Sequence, residues 1–212
     1  MRFRSTIMTG LLATSLALGA GSALAHEGHE ASPAASDEAL TRTMTLSSPE
    51  GTIVGYATLT ETDGMLTIKV ANTGDSGLAP GEHGIHVHET GSCVVSGEKP
   101  YDSAGGHFNP AGATHGAPED EGSHAGDLGN MTVNDNGSFT FEMSTDKVTL
   151  AEGAEHSLAD EDGSALVIHE HADDLSTDPS GESGGRVACG IIFKSTVPVA
   201  TPVASPEASP AS

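Results

Sequence analysis

The chain reads as an all-β protein, an antiparallel β-sandwich or barrel. Three observations predict it. Short apolar runs alternate with the period of a strand, Gly- and Asn-rich turn signals separate them, and no amphipathic stretch of about 12 residues carries the helical period. Leu66, Ile68 and Val70 alternate with Thr67 and Lys69, and Phe139, Phe141 and Met143 alternate with Thr140 and Glu142. Such alternation buries one face of a sheet and wets the other. Further strands are expected at Ile53 to Thr60, Ile85 to Glu89, Met131 to Val133, Ala165 to His169 and Val187 to Phe193. Thr62-Asp63-Gly64 and Asn134-Asp135-Asn136-Gly137 read as hairpin connections. Two segments, about 91–128 and about 170–185, are too long and too polar to be strands. Loops of that length in a compact domain are usually functional or cross-linked.

The ends belong to other categories. Arg2 and Arg4 precede an apolar run from Ile7 to about Leu18, and small residues follow to Ala23-Leu24-Ala25. This is the pattern of a secretory signal peptide over residues 1–25, too short and too rich in Gly, Ser and Thr for a stable membrane span. An exported protein, periplasmic, held in the cell envelope or secreted, is expected. Residues 26–41 form a His/Glu/Ala/Ser lead-in without apolar period, and residues 196–212 a Pro/Ala/Ser tail. One domain, 42–195, lies between. Removing Arg2 and Arg4 leaves six basic residues against 30 acidic ones, a formal charge of −24. That balance excludes nucleic acid and anionic membrane surfaces as natural partners. Cys93 and Cys189 are the two cysteines. In an oxidising compartment they most simply form one disulfide, which the chain-entropy model values at roughly 4 to 5 kcal/mol for a loop of about 100 residues.

The chemistry lies in an array of histidines closed by one aspartate. His86 and His88 stand at i and i+2 on a predicted strand, which puts both imidazoles on one face. Two nitrogens on a rigid strand are half of a tetragonal copper site, although an isolated pair of this kind also occurs as exposed or core histidines. His107, His115, His124 and Asp127 offer three nitrogens and one oxygen, the donor set of a closed tetrahedral zinc site. His169 ends a strand and would reach back toward His86 and His88. Copper is then one ligand short, unless a loop histidine binds both ions through its two ring nitrogens. His26 and His29, behind the expected cleavage point, offer a weak copper-capture motif, with a solvated linker as the plainer reading. His83 and His156 read as structural or exposed, and His171 as a surface residue.

Six segments in order resemble the copper/zinc superoxide dismutases. They are Gly84-Ile85-His86-Val87-His88-Glu89, Gly106-His107-Phe108-Asn109-Pro110, His115-Gly116-Ala117-Pro118, Gly126-Asp127-Leu128-Gly129-Asn130, the run from His169 to Leu175, and Gly185-Arg186-Val187-Ala188-Cys189-Gly190. The similarity covers about 45–193. It implies a Greek-key antiparallel β-sandwich or barrel of about eight strands with long metal-binding and electrostatic loops. It implies copper on His86, His88, His107 and His169, zinc on His107, His115, His124 and Asp127, and His107 as the bridging imidazolate and proton carrier. It further implies a Cys93–Cys189 disulfide, Asp173 as the carboxylate linking a copper histidine to a zinc histidine, and Arg186 beside the open copper position. The activity implied is conversion of the superoxide anion to dioxygen and hydrogen peroxide by alternate reduction and reoxidation of copper. Monomers and homodimers both occur in the family.

Charge is the point of tension. Arg186 is the one clear cation expected near the site, and Glu170 to Gly185 holds no Lys or Arg where many relatives carry lysine. Weak electrostatic steering is therefore expected. The rival reading is a non-catalytic exported copper/zinc-binding protein on the same fold, and a copper-only dismutase is a third that the zinc donor set argues against.

Overall fold

The computed structural model describes residues 39–97 and 99–196. The predicted signal peptide, all but the last residues of the lead-in, the His26/His29 motif and the tail beyond Thr196 lie outside the described residues. The described residues form eight strands: β1 (Leu40–Ser47), β2 (Ile53–Thr62), β3 (Met65–Asn72), β4 (Gly81–His88), β5 (Asp127–Val133), β6 (Phe139–Thr145), β7 (Ser164–His169) and β8 (Arg186–Phe193). All pairings are antiparallel, and the strands close into a barrel in the order β1-β2-β3-β6-β5-β4-β7-β8. The β3-to-β4 and β6-to-β7 connections jump past neighbouring strands, which makes the topology a Greek key. One single-turn 3₁₀ helix, Asp102–Ala104, is the helical element among the described residues.

Alternation builds the barrel as expected. Leu66, Ile68 and Val70 point inward with no exposed surface, joined by Leu46, Leu59, Ile85, Val87, Leu166 and Ile168. The β2–β3 hairpin turns at Asp63 (φ 53°) and Gly64 (φ 76°), the two left-handed positions that a two-residue turn needs to match strand twist.

Three differences from the sequence reading have physical reasons. β1 was not among the expected strands. Its inward parity is Leu40, Arg42, Met44 and Leu46, and Arg42 interrupts the apolar pattern by stacking on the Phe193 ring, 4.2 Å from its centroid. β4 starts at Gly81 and β5 at Asp127, both earlier than expected. The first half of β4 holds two glycines with Glu82 and His83, and the first half of β5 carries Asp127, Gly129 and Asn130, so hydropathy hides both.

The barrel's outer face positions that site. Ile85 and Val87 of β4 and Leu166 and Ile168 of β7 enter the core, so His86, His88 and His169 must point outward. Two long loops cover them, which is why β7 is buried along its whole length. Under the first loop a second apolar cluster gathers Tyr101, Ala104, Ala165, Val167 and Cys189. Cys93 and Cys189 are joined in a disulfide with Cα atoms 5.8 Å apart, tying this loop to β8 across 96 residues of sequence. Main-chain bonds reinforce the cover. Val87 N–H donates to Gly126 O, Gly126 N–H to Phe108 O and Phe108 N–H to Val87 O, each at 2.8 to 2.9 Å. A Cβ at Gly126 would fall 2.3 Å from Val87 O, so this three-way contact requires glycine.

Candidate metal centre

The structure brings all seven array residues into two buried groups that share one member. His86, His88, His107 and His169 form the first; His107, His115, His124 and Asp127 form the second. In each, the potential ligand atoms lie within 4.8 Å of one another. None of these residues is more than 5% exposed.

Outer hydrogen bonds decide which nitrogen of each ring points inward. His88 Nδ1 lies 3.0 Å from Gly105 O, and His169 Nδ1 lies 3.4 Å from Gly184 O. A carbonyl can only accept, so each Nδ1 carries the proton and each Nε2 presents a lone pair. Those two Nε2 atoms face each other at 3.3 Å. His86 reverses the pattern: its Nε2 donates to Asp173 Oδ2 at 2.8 Å, leaving Nδ1 buried and unpartnered. His107 Nε2 is likewise buried without a partner. Four nitrogens with inward lone pairs and no protein hydrogen to satisfy them fit a metal that prefers imidazole, such as copper.

The second group tells the same story with oxygen included. His115 Nε2 donates to Asp173 Oδ1 at 2.8 Å, so its Nδ1 turns a lone pair toward Asp127 Oδ1 at 3.1 Å. Asp127 Oδ1 also lies 2.8 Å from His107 Nδ1 and 3.2 Å from His124 Nδ1. Four donors on a tetrahedron with bonds of about 2.0 to 2.1 Å lie about 3.3 Å apart, so this N₃O group has the spacing of a structural zinc site. Asp127 Oδ2 is held by the His124 and Gly116 N–H groups, both at 3.1 Å. His107 gives Nδ1 to this group and Nε2 to the first, which only an imidazolate does fully.

Asp173 spans the two groups, one carboxylate oxygen on His86 and the other on His115. Asn130 holds it by two main-chain bonds, its Nδ2 donating to Asp173 O and its Oδ1 accepting from Asp173 N–H. Asp178 Oδ1 accepts the His115 N–H and ties the second loop to the first. Neither Asn130 nor Asp178 was legible as a supporting residue in the sequence, because both act through main-chain atoms of distant segments. The same holds for His83, whose Nδ1 and Nε2 sit on the carbonyls of His169 and Ala79 at 2.7 and 2.8 Å.

Electrostatics follow from burial. Burial first, and then the neighbouring imidazoles, hold His86 well below the usual histidine range and His169 down to about 3, while His88 is held well below it by burial and then by the Arg186 charge. In Asp127 burial pushes upward, but the hydrogen bond from His107, the charge on His115 and the Gly116 N–H outweigh it and hold the carboxyl below its usual range. His115 is raised because its two carboxylate partners outweigh burial. For protein prepared without metal, the unfolded chain binds more protons than the folded one between about pH 3 and the ordinary histidine value near 6.5. Stability is therefore fully present above 6.5 and declines as pH falls through that window, with His115 opposing in part. The thermal midpoint of metal-free protein should drop from pH 7 to pH 4.5; a constant or rising midpoint would contradict this.

A family model described as copper/zinc superoxide dismutase (SODC) matches residues 53–192. The chain belongs to the copper/zinc superoxide dismutase family. It is 43% identical over 146 residues to "Superoxide dismutase [Cu-Zn] 2" of Aquifex aeolicus, covering 68% of this chain and 81% of that one. It is 41% identical over 146 residues to "Superoxide dismutase-like protein YojM" of Bacillus subtilis, covering 68% and 71%. A crystal structure of a superoxide dismutase-like protein from Bacillus subtilis superposes with a TM-score of 0.62 at 40% identity, covering 71% of this chain and 97% of that one.

The cleft over the first histidine group of this superoxide dismutase family member corrects one expectation. The cleft, about 690 Å³, is lined by His88, His107, His169 and Asn109 together with two cations, Arg186 and Lys99. Lys99 comes from the disulfide-bonded loop, so Arg186 is not alone. Glu89 and Asp102 line the same cleft and oppose both. His171, expected at the surface, is exposed beside Glu170 and does not line the cleft.

Proposed function

We propose that this protein dismutes superoxide, with copper held by His86, His88, His107 and His169 and zinc by His107, His115, His124 and Asp127. The observation that carries this reading is His107, whose two ring nitrogens are divided between two otherwise separate buried donor groups. Bound copper would supply the one-electron couple by which one superoxide is oxidised to dioxygen and a second, with two protons, is reduced to hydrogen peroxide; zinc, being d¹⁰, would supply charge and order. Arg186 draws the anion into the cleft and orients it. His107 Nε2, at the floor of that cleft, holds and delivers a proton to reduced oxygen. Asp173 keeps His86 and His115 in the tautomers that aim lone pairs inward. Asp173→Asn is expected to lower metal affinity about 10- to 100-fold, read by competition with a chelator; an unchanged affinity would remove that role.

Lys99 offers a direct measure of steering. Charges on the surface are screened beyond roughly 8 to 10 Å at physiological salt, so only cations lining the cleft act on an incoming anion. Lys99→Glu should slow dismutation several-fold at low ionic strength, and the difference should shrink in high salt. Equal rates for the two proteins at low salt would show that Lys99 takes no part.

The name of the Bacillus subtilis relative, superoxide dismutase-like, favours one other reading: an exported metal-binding protein without catalysis. Protein loaded with copper and zinc decides between them. Rapid dismutation that collapses in His169→Ala supports the enzyme, whereas tight stoichiometric binding without dismutation supports the binding protein. An oxidising compartment, as the Cys93–Cys189 disulfide requires, fits the export proposed from residues 1–25.

A further inference from the structure

The Arg186 guanidinium is held by two main-chain carbonyls. Nη1 donates to Tyr101 O and Nη2 to Gly105 O, and these residues flank the 3₁₀ turn Asp102–Ala104 on either side. Both flanking residues have left-handed φ, 63° at Tyr101 and 74° at Gly105. Glycine adopts that region without penalty, but for a bulky aromatic residue it is an outlier held only where surroundings over-determine it. At Tyr101 the surroundings do so twice. Its ring is buried against Ala104, Ala165, Val167 and Cys189, and its hydroxyl donates to Ser47 O of β1 at 2.7 Å. Ser47 pairs with Cys189 in the barrel, so the phenol is bolted to the strands beneath the disulfide. Burial pushes the phenol up to about 12, which keeps the hydroxyl a donor across the working range of pH. Both carbonyls are also committed elsewhere: Tyr101 O accepts the Ala104 N–H at 2.9 Å, and Gly105 O accepts from His88 Nδ1 at 3.0 Å.

We infer that Tyr101 is a positioning residue for Arg186: its anchored ring and hydroxyl hold a strained backbone whose carbonyl, with that of Gly105, aims the guanidinium into the cleft. The inference rests on the reading of Arg186 as the residue that receives the anion. It adds a specific lever, because the phenol lies outside the metal groups and does not line the cleft.

The test uses the copper- and zinc-loaded, disulfide-bonded protein. Arg42 and Arg186 are the two arginines beyond residue 25, and Arg42 lies on β1 over Phe193, which makes it an internal reference. Phenylglyoxal modification at each is followed by peptide mass mapping. In Tyr101→Phe, which keeps the ring and removes the anchor, modification of Arg186 relative to Arg42 should rise about three- to tenfold, the scale of one lost hydrogen bond. In Tyr101→Leu it should rise further. Azide affinity at copper should weaken in parallel while the anion-free copper spectrum stays unchanged. An unchanged Arg186-to-Arg42 ratio in both variants overturns the inference, as does an equal rise at both arginines, which would mean general loosening. An altered anion-free spectrum would also overturn it, because Tyr101 would then support the ligands rather than the arginine. Arginine reactivity does not depend on superoxide turnover, so a protein that bound metals without dismutation would still give a clear answer here.

Discussion

Arg186→Ala is expected to lower the dismutation rate by about 10- to 100-fold while leaving one copper and one zinc bound. Among the described residues the guanidinium bonds to the Tyr101 and Gly105 carbonyls and takes no place in either donor group, so its loss removes positive charge and anion orientation without removing a ligand. A fixed donor aimed at developing charge is worth about 10² to 10³ in rate, and an effect about tenfold smaller is expected here because Lys99 remains in the cleft. Much of the salt dependence of the rate should disappear with it. Stopped-flow decay of superoxide against ionic strength, with metal content measured on the same sample, checks both parts. A variant within twofold of the parent would sink the role assigned to Arg186, and loss of copper would show that the residue is structural.

The second large effect is on stability. Replacing Cys93 and Cys189 together with serine opens a cross-link spanning 96 residues, which the chain-entropy model values at about 4 to 5 kcal/mol. For a domain of this size that corresponds to a fall in thermal midpoint of roughly 10 to 20 °C. Activity should fall further than metal content does. The released loop carries both carbonyls that hold Arg186 and the Gly105 carbonyl that orients His88, whereas the second donor group keeps Asp127 and its main-chain supports. Calorimetry on the loaded proteins, paired with metal analysis and activity, separates the effects. A midpoint within a few degrees of the parent would mean that metal and barrel, rather than the disulfide, order the loop.

The candidate donor residues, which the structure gathers into two groups that could hold metal ions, were legible in the sequence because coordination chemistry restricts their types. Histidine and aspartate are the residue types that such sites accept, and strand parity alone places His86 and His88 on one face. The barrel strands with clean alternation, at 66–70 and 139–143, were legible for the same kind of reason, since a buried face selects apolar side chains at every second position. β1 escaped because the exposed Arg42 stands at a position of inward parity, and the first halves of β4 and β5 escaped because they are rich in glycine and polar residues.

Apart from Lys99, the residues that escaped entirely act on main-chain atoms of other segments. Lys99 reaches the cleft only because the disulfide folds its loop over β7 and β8, and Tyr101, Asn130 and Asp178 contribute by holding backbone that is remote in sequence. A backbone carbonyl or N–H is present at nearly every position, so nothing in a residue's identity marks the one that will be used. The list of donors and the barrel that carries them are thus properties of side-chain chemistry and periodicity. The tautomer of each imidazole, the aim of Arg186 and the balance of charge in the cleft are properties of the packed chain, because each depends on which distant main-chain group closure of the loops brings within hydrogen-bond reach.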